Sequence, residues 1–150
     1  MASPKRPVVV TESADKPYGQ VVMIEHHAMR ADEAKVLGGH DTGPSPYEYV
    51  MAGLGACTTM TLRMYADRHN WPLEKTSVEV RHKIVVVGDG KSSVDRFERI
   101  VRIEGDLTGQ QRAHLLEIAN RCPVSQTLRR SSVIVTSLAE PSRIDYSMTR

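Results

Sequence analysis

Apolar positions recur in short β-branched runs at the start of the chain, form one nearly continuous block in its middle, and alternate with polar ones after it. Residues 6–11 and 19–27 read as two strands of a β-hairpin, because Ala14-Asp-Lys-Pro-Tyr18 between them is turn chemistry. A short strand is expected near residues 29–34. Gly38-Gly-His-Asp-Thr-Gly-Pro-Ser-Pro46 carries too many breakers to be anything but a loop. Ser45 fits a helix N-cap, Pro46 falls at the first helical position, and Glu48 places a negative charge in the first turn, where the helix dipole favours it. No proline follows until after His69, which predicts one helix about 36 Å long. Its apolar residues, among them Val50, Met51, Leu54, Cys57, Met60, Leu62, Met64 and Tyr65, do not fit one stripe, so burial on most sides is expected. Gly53 and Gly55 weaken such a helix by roughly 1 kcal/mol each relative to Ala, which suggests a close neighbour there.

Beyond Asn70-Trp-Pro72, residues 75–87 and 94–104 alternate as two strands joined by Gly88-Asp-Gly90, with Val78, Val80, His82 and Ile84 on one face. Thr108-Gly-Gln-Gln111 is a capping-box signal for a helix through Ala119. Pro123 ends that run and opens a short helix toward Leu128. Residues 132–138 read as a last strand, with 144–148 as a further one. Strands and helices thus mix in an α+β order, without internal repeats, in one domain spanning residues 1–150.

Composition narrows the function classes. With 40% hydrophobic and 25% charged residues and a net charge of +2, the chain has no basic stripe, and a single Phe and a single Trp offer little for stacking on bases. No nucleic-acid partner is expected. No apolar run is long enough to span a membrane, and Met-Ala-Ser-Pro-Lys-Arg-Pro lacks the apolar core of a signal peptide, so the expected compartment is the cytoplasm.

The chemistry therefore turns on two cysteines, Cys57 and Cys122. Both are compatible with inert packing, since free Cys behaves as a small hydrophobe. Both also suit reactive sulfur. In a reducing compartment, paired cysteines are more often free, catalytic or redox-sensing than a permanent bridge, and Cys122 stands at a helix start with Arg121 and Arg129 nearby in sequence. A metal site is disfavoured: the chain has no C-x-x-C or H-x-x-x-H, and His26, His27, His40, His69, His82 and His114 are dispersed. A nucleophile elbow and a phosphate-cradling loop are also missing.

Three segments carry a family resemblance: Gly43-Pro-Ser-Pro-Tyr-Glu48 with Gly55-Ala-Cys-Thr-Thr-Met-Thr-Leu-Arg-Met-Tyr-Ala66, Arg99-Ile100 with Glu104-Gly-Asp-Leu-Thr-Gly-Gln-Gln-Arg112, and Ile118-Ala-Asn-Arg-Cys-Pro-Val124. Together they resemble the OsmC/Ohr family of osmotically inducible and organic hydroperoxide resistance proteins. The resemblance implies an OsmC-like fold in which antiparallel sheets wrap long central helices in an intertwined homodimer. It also implies a thiol-dependent peroxidase without a bound cofactor, acting on organic hydroperoxides and more weakly on inorganic ones in defence against oxidative stress. Cys57 would be the peroxidatic nucleophile and Cys122 the resolving thiol, with an external dithiol as reductant. The family pairs its nucleophile with an Arg from the first hairpin and a Glu ten residues before it. Here Tyr47 stands at the second place with Glu48 beside it, and the hairpin turn offers Lys16. Arg63 and Arg121 are further candidates for supporting the thiolate. The alternative is a non-catalytic or weakly catalytic OsmC-like dimer that binds or senses a small lipophilic ligand.

Overall fold

The computed structural model describes residues 6–14 and 17–139. It opens with a three-stranded antiparallel sheet, β1 (Val9–Glu12), β2 (Gln20–Ile24) and β3 (His27–Ala31), in spatial order β1-β2-β3. The second strand of the expected hairpin ends earlier than residue 27, because a two-residue turn at Glu25 and His26 sends the chain straight back as β3. Glu25 takes the positive φ of 53° that this tight reversal demands.

After β3, the breaker-rich loop is organised by one buried carboxylate. Asp32 accepts the backbone N–H groups of Glu33, His40 and Thr42 at 2.8, 3.1 and 3.1 Å, and the Thr42 hydroxyl at 2.9 Å. The loop delivers Ser45 to the start of α1 (Pro46–Arg68). There the Ser45 side chain accepts the Glu48 N–H, and the Glu48 carboxylate accepts the Ser45 N–H at 2.7 Å, a reciprocal cap.

A long hairpin follows, β4 (Leu73–Val87) and β5 (Ser92–Gly105), then α2 (Gly109–Ala119) and α3 (Pro123–Arg129). The register pairs Val78 with Val101, Val80 with Arg99 and His82 with Phe97, so these residues share the face turned toward α1. Thr108 and Gln111 close the capping box that their spacing predicts. Gly105 joins hairpin to helix at φ 137°, and a Cβ there would stand 2.1 Å from the Pro72 carbonyl oxygen, so only glycine fits.

The core gathers Leu62 and Ala66 of α1, Leu73, Leu107, and Leu115, Ile118 and Ala119 of α2, with Trp71, Val101 and Ile103 against them. Leu62 and Leu115 are completely buried, each contributing roughly 1.5–3 kcal/mol. Arg112 fastens α2 to the end of β5 by donating to the carbonyls of Ile103 and Gly105, both at 2.7 Å.

Three expectations are not met within this one chain. Within this chain α1 buries one stripe, Leu54, Thr58, Leu62 and Ala66, and leaves Met60 and Met64 exposed, because among the described residues its main neighbours are the hairpin, α2 and α3. Gly53 has no neighbour where a Cβ would stand, and Gly55 meets only the Val80 side chain at an ordinary 3.5 Å, so no close approach occurs there within the chain. Residues 132–138 form no strand: a strand exists only through ladder hydrogen bonds, and no strand of the two sheets pairs with this segment. The strand expected over residues 144–148 lies outside the described residues.

Candidate functional site

Cys57 lies halfway along α1, one residue before Thr58 of the buried stripe, and is half-buried. Cys122 is the N-cap of α3 and is completely buried. Its extended backbone, φ −60° and ψ 137°, is what a cap requires, and its sulfur accepts the Ser125 N–H at 3.3 Å in the place where Ser or Asp usually offers oxygen. Both cysteines are free thiols.

The sulfurs are neighbours, and the first turn of α3 serves both. The Val124 backbone N–H and the Thr61 hydroxyl stand near enough to Cys57 to favour its thiolate, and Cys122 near enough to disfavour it. Burial, followed by the hydrogen bond and charge of Cys122, pushes the Cys57 pKa up more than the Val124 and Thr61 donors pull it down. Cys57 is therefore a thiol at neutral pH in this arrangement. Two such close groups lose their protons as a pair, not independently.

Around Cys122 the balance of donors differs. The Arg99 guanidinium reaches in from β5, with Nη1 4.0 Å from Sγ. The same nitrogen donates to Thr58 Oγ1 at 2.9 Å and to the Ala119 carbonyl at 2.8 Å, while Nη2 donates to Asn120 Oδ1 at 3.0 Å and the Ser125 hydroxyl at 3.4 Å. The Thr58 hydroxyl gives its one proton to the Leu54 carbonyl at 2.7 Å. It can then only accept from Cys122, whose sulfur lies 3.7 Å away, so this contact fits the neutral thiol, while Ser125 N–H and Arg99 fit the thiolate.

The other residues singled out from the sequence are placed elsewhere. Glu48 spends its carboxylate on the α1 cap. Tyr47 stacks on His82, ring centroids 4.4 Å apart, and His82 stacks in turn on Phe97 at 4.7 Å. Arg63 donates to the carbonyls of Leu73 and Glu74 and pairs with Asp67 at 3.6 Å, pinning the start of β4. Arg121 lines a groove of about 410 Å3 with Thr61, Met64, Arg68 and Pro123. Lys16 lies outside the described residues.

Arg99 stands in one of the segments that carry the family resemblance, but its place at the site was not read from the sequence. A signal was available: Phe97, Arg99, Val101 and Ile103 are alternate residues of one strand, so a lone arginine stands on an otherwise apolar, helix-facing row. Thr58, Asn120 and Ser125 escaped for the opposite reason, being ordinary polar residues whose partners are distant in sequence. Among the described residues, no three His, Cys, Asp or Glu side chains converge as metal ligands would. No described helix is long and apolar enough to cross a membrane.

A family model for OsmC-like protein matches residues 39–137, which include both cysteines, α1, the long hairpin and α2–α3. The chain belongs to the OsmC-like family. A search of curated proteins gave no match. Among solved structures, the OsmC-like protein of Mycoplasma pneumoniae superposes with a TM-score of 0.70 at 17% identity, over 86% of this chain and 89% of that one. An organic hydroperoxide resistance protein OsmC from Legionella pneumophila, described as a predicted redox protein, gives 0.66 at 19% identity over 86% and 92%. An organic hydroperoxide resistance protein of Elizabethkingia anophelis gives 0.64 at 22% identity over 86% and 91%. At these identities the OsmC-like chain shares their fold: α+β, with antiparallel sheets and a long central helix.

Proposed function

We propose that this OsmC-like protein is a thiol-dependent peroxidase that reduces organic hydroperoxides, in the cytoplasm and as a homodimer. The observation that carries the reading is the juxtaposition of Cys57 and Cys122 at the first turn of α3, where the Ser125 N–H donates to Cys122 at 3.3 Å and Val124 stands near enough to Cys57 to favour its thiolate. Membership of a family whose structural neighbours are named organic hydroperoxide resistance proteins supports it. The Cys57 thiolate attacks the outer oxygen of R–O–O–H, the O–O bond breaks, and RO⁻ leaves and takes a proton as the alcohol, giving a Cys57 sulfenic acid. The Cys122 thiolate then attacks Cys57 Sγ and expels hydroxide, which leaves as water, forming the Cys57–Cys122 disulfide. An external dithiol returns both thiols, so no bound cofactor enters the cycle.

Mixing reduced protein with cumene hydroperoxide tests this. One equivalent should be consumed per chain, and an intramolecular Cys57–Cys122 disulfide should appear by mass spectrometry. Consumption by Cys57→Ser at the wild-type rate sinks the reading. One observation favours a second: the upward shift of the Cys57 pKa is the reverse of what a fast nucleophile needs. A weakly catalytic dimer that binds or senses a small lipophilic ligand fits that shift, and it would show ligand binding with turnover no faster than a free thiol's.

A further inference from the structure

A cleft of about 700 Å3 opens between the outer half of the β4–β5 hairpin, α1 and α3. Leu54, Phe97 and Leu128 give it apolar walls, and Arg99 and Arg129 bring two guanidinium groups to it against one carboxylate, Asp95, while Arg96 stands at its rim. That carboxylate is already committed, since its Oδ1 stands 2.7 Å from His82 Nε2. Arg96 is answered by Glu98 at 3.0 Å. Arg99 and Arg129 have no carboxylate within ion-pair distance among the described residues. Both donate instead to one neutral oxygen, Asn120 Oδ1, at 3.0 and 2.9 Å. Two like charges converging on a single amide oxygen repel, and neither is paired with a carboxylate among the described residues. An anion between them would relieve that repulsion and could meet two planar donor forks at once.

We propose that this cleft binds an amphipathic monoanion, a carboxylate on a short apolar chain, with its headgroup between Arg99 and Arg129 and its chain along Leu54, Phe97 and Leu128. The division of the lining supports an amphipath over a bare anion, because apolar walls contribute to binding only if the ligand covers them. Arg99 also stands 4.0 Å from Cys122 Sγ, so the ligand shares a guanidinium with the cysteine pair. Whatever changes the charge on Cys122 therefore changes the affinity of the cleft, and the converse holds by linkage.

Calorimetric titration of the reduced, full-length protein with octanoate, 1-octanol and inorganic phosphate separates the contributions. Octanoate should bind one per chain, with octanol and phosphate each at least about tenfold weaker, because each lacks one half of the match. Arg129 is exposed, so Arg129→Gln should keep the wild-type unfolding temperature while weakening octanoate by about tenfold. Cys57→Ser should bind octanoate normally, which keeps the result independent of any peroxidase activity. The proposal is overturned by octanol or phosphate binding as tightly as octanoate, by unchanged affinity in Arg129→Gln, or by no octanoate binding at millimolar concentration.

Discussion

Arg99 Nη1 and Cys122 Sγ lie 4.0 Å apart across the seam between the long hairpin and α3, so the guanidinium carried by β5 serves Cys122, the buried one of the two thiols. The same side chain ties β5 to Thr58 of α1, to Ala119 and Asn120 where α2 ends, and to Ser125 of α3. Arg99→Ala would leave the Ala119 carbonyl without this donor and strip charge from beside Cys122. The expected loss is about 1–3 kcal/mol of stability, read from urea unfolding of the reduced protein. A Cys57–Cys122 disulfide formed with hydroperoxide should also be opened by dithiothreitol roughly three-fold more slowly, because Cys122 becomes a poorer leaving thiolate. Wild-type values for both would remove Arg99 from the account.

The pH dependence of Cys57 follows from the direction of its shift. Burial first, and then Cys122, hold its pKa above the usual thiol value, so the thiolate is scarce at neutral pH and accumulates only on the alkaline side. Alkylation by iodoacetamide, followed by mass spectrometry on the reduced protein, should be slow at pH 7 and still rising beyond about pH 8.5, where an ordinary thiol is half ionised. A rate already at its plateau by pH 7 would mean that the protein activates Cys57.

Glu48 separates a helix cap from thiol support. Its carboxylate accepts the Ser45 N–H at 2.7 Å at the start of α1, ten residues before the Cys122-facing Thr58. Glu48→Ala should cost about 0.3–1.5 kcal/mol in thermal or urea unfolding and leave the Cys57 alkylation rate unchanged. A several-fold change in that rate with intact stability would assign the carboxylate to the thiol instead.

These positions show what was legible in the sequence. The starts of α1, α2 and α3 were readable because Ser45-Pro46, Thr108 with Gln111, and Pro123 act within one helical turn. The cysteines were readable as the chemistry-bearing pair because the neighbouring residues carried a family resemblance. Arg99 was not, since its role depends on register: pairing with Val80 turns it toward α1, and a one-residue slip would have turned it away. The apolar surface of α1 exceeds what one chain covers, for a related reason. Its composition records every surface it is suited to cover, whereas one chain supplies neighbours only for the stripe from Leu54 to Ala66.

Asp32 predicts an acid-sensitive loop. Burial pushes its pKa up, but three backbone N–H groups and the Thr42 hydroxyl outweigh that and hold it below the usual carboxylate value. A depressed carboxylate pKa stabilises the fold above the unfolded-state value, about 3.9, and that contribution fades as pH falls through the lower folded value. Limited proteolysis of the 38–46 loop should therefore accelerate below about pH 4. Asp32→Asn should show the faster cleavage already at pH 7; equal cleavage of the two proteins at pH 7 would count against the carboxylate as the loop's organiser.

The segment after α3 bears on assembly. Val133, Ile134, Val135 and Leu138 are 90, 89, 86 and 99% exposed, and on α1 Met60 and Met64 are also open to solvent. A β-branched run this apolar, with unpaired backbone, is a template for pairing with another strand, and the exposed methionines of α1 are the kind of surface that a second chain covers. If the OsmC-like chain is a homodimer, both surfaces should be lost to solvent together. Sedimentation velocity at micromolar concentration should then give a single species of twice the 16.7 kDa chain mass. Ile134→Asp should shift the protein toward monomer, because a charge taken into an apolar contact without a partner is costly. Hydrogen exchange adds an independent measure: amides of residues 132–138 should be protected in the wild type and exchange freely in the variant. A wild-type monomer whose 132–138 amides exchange at the unprotected rate would rule out the assembly.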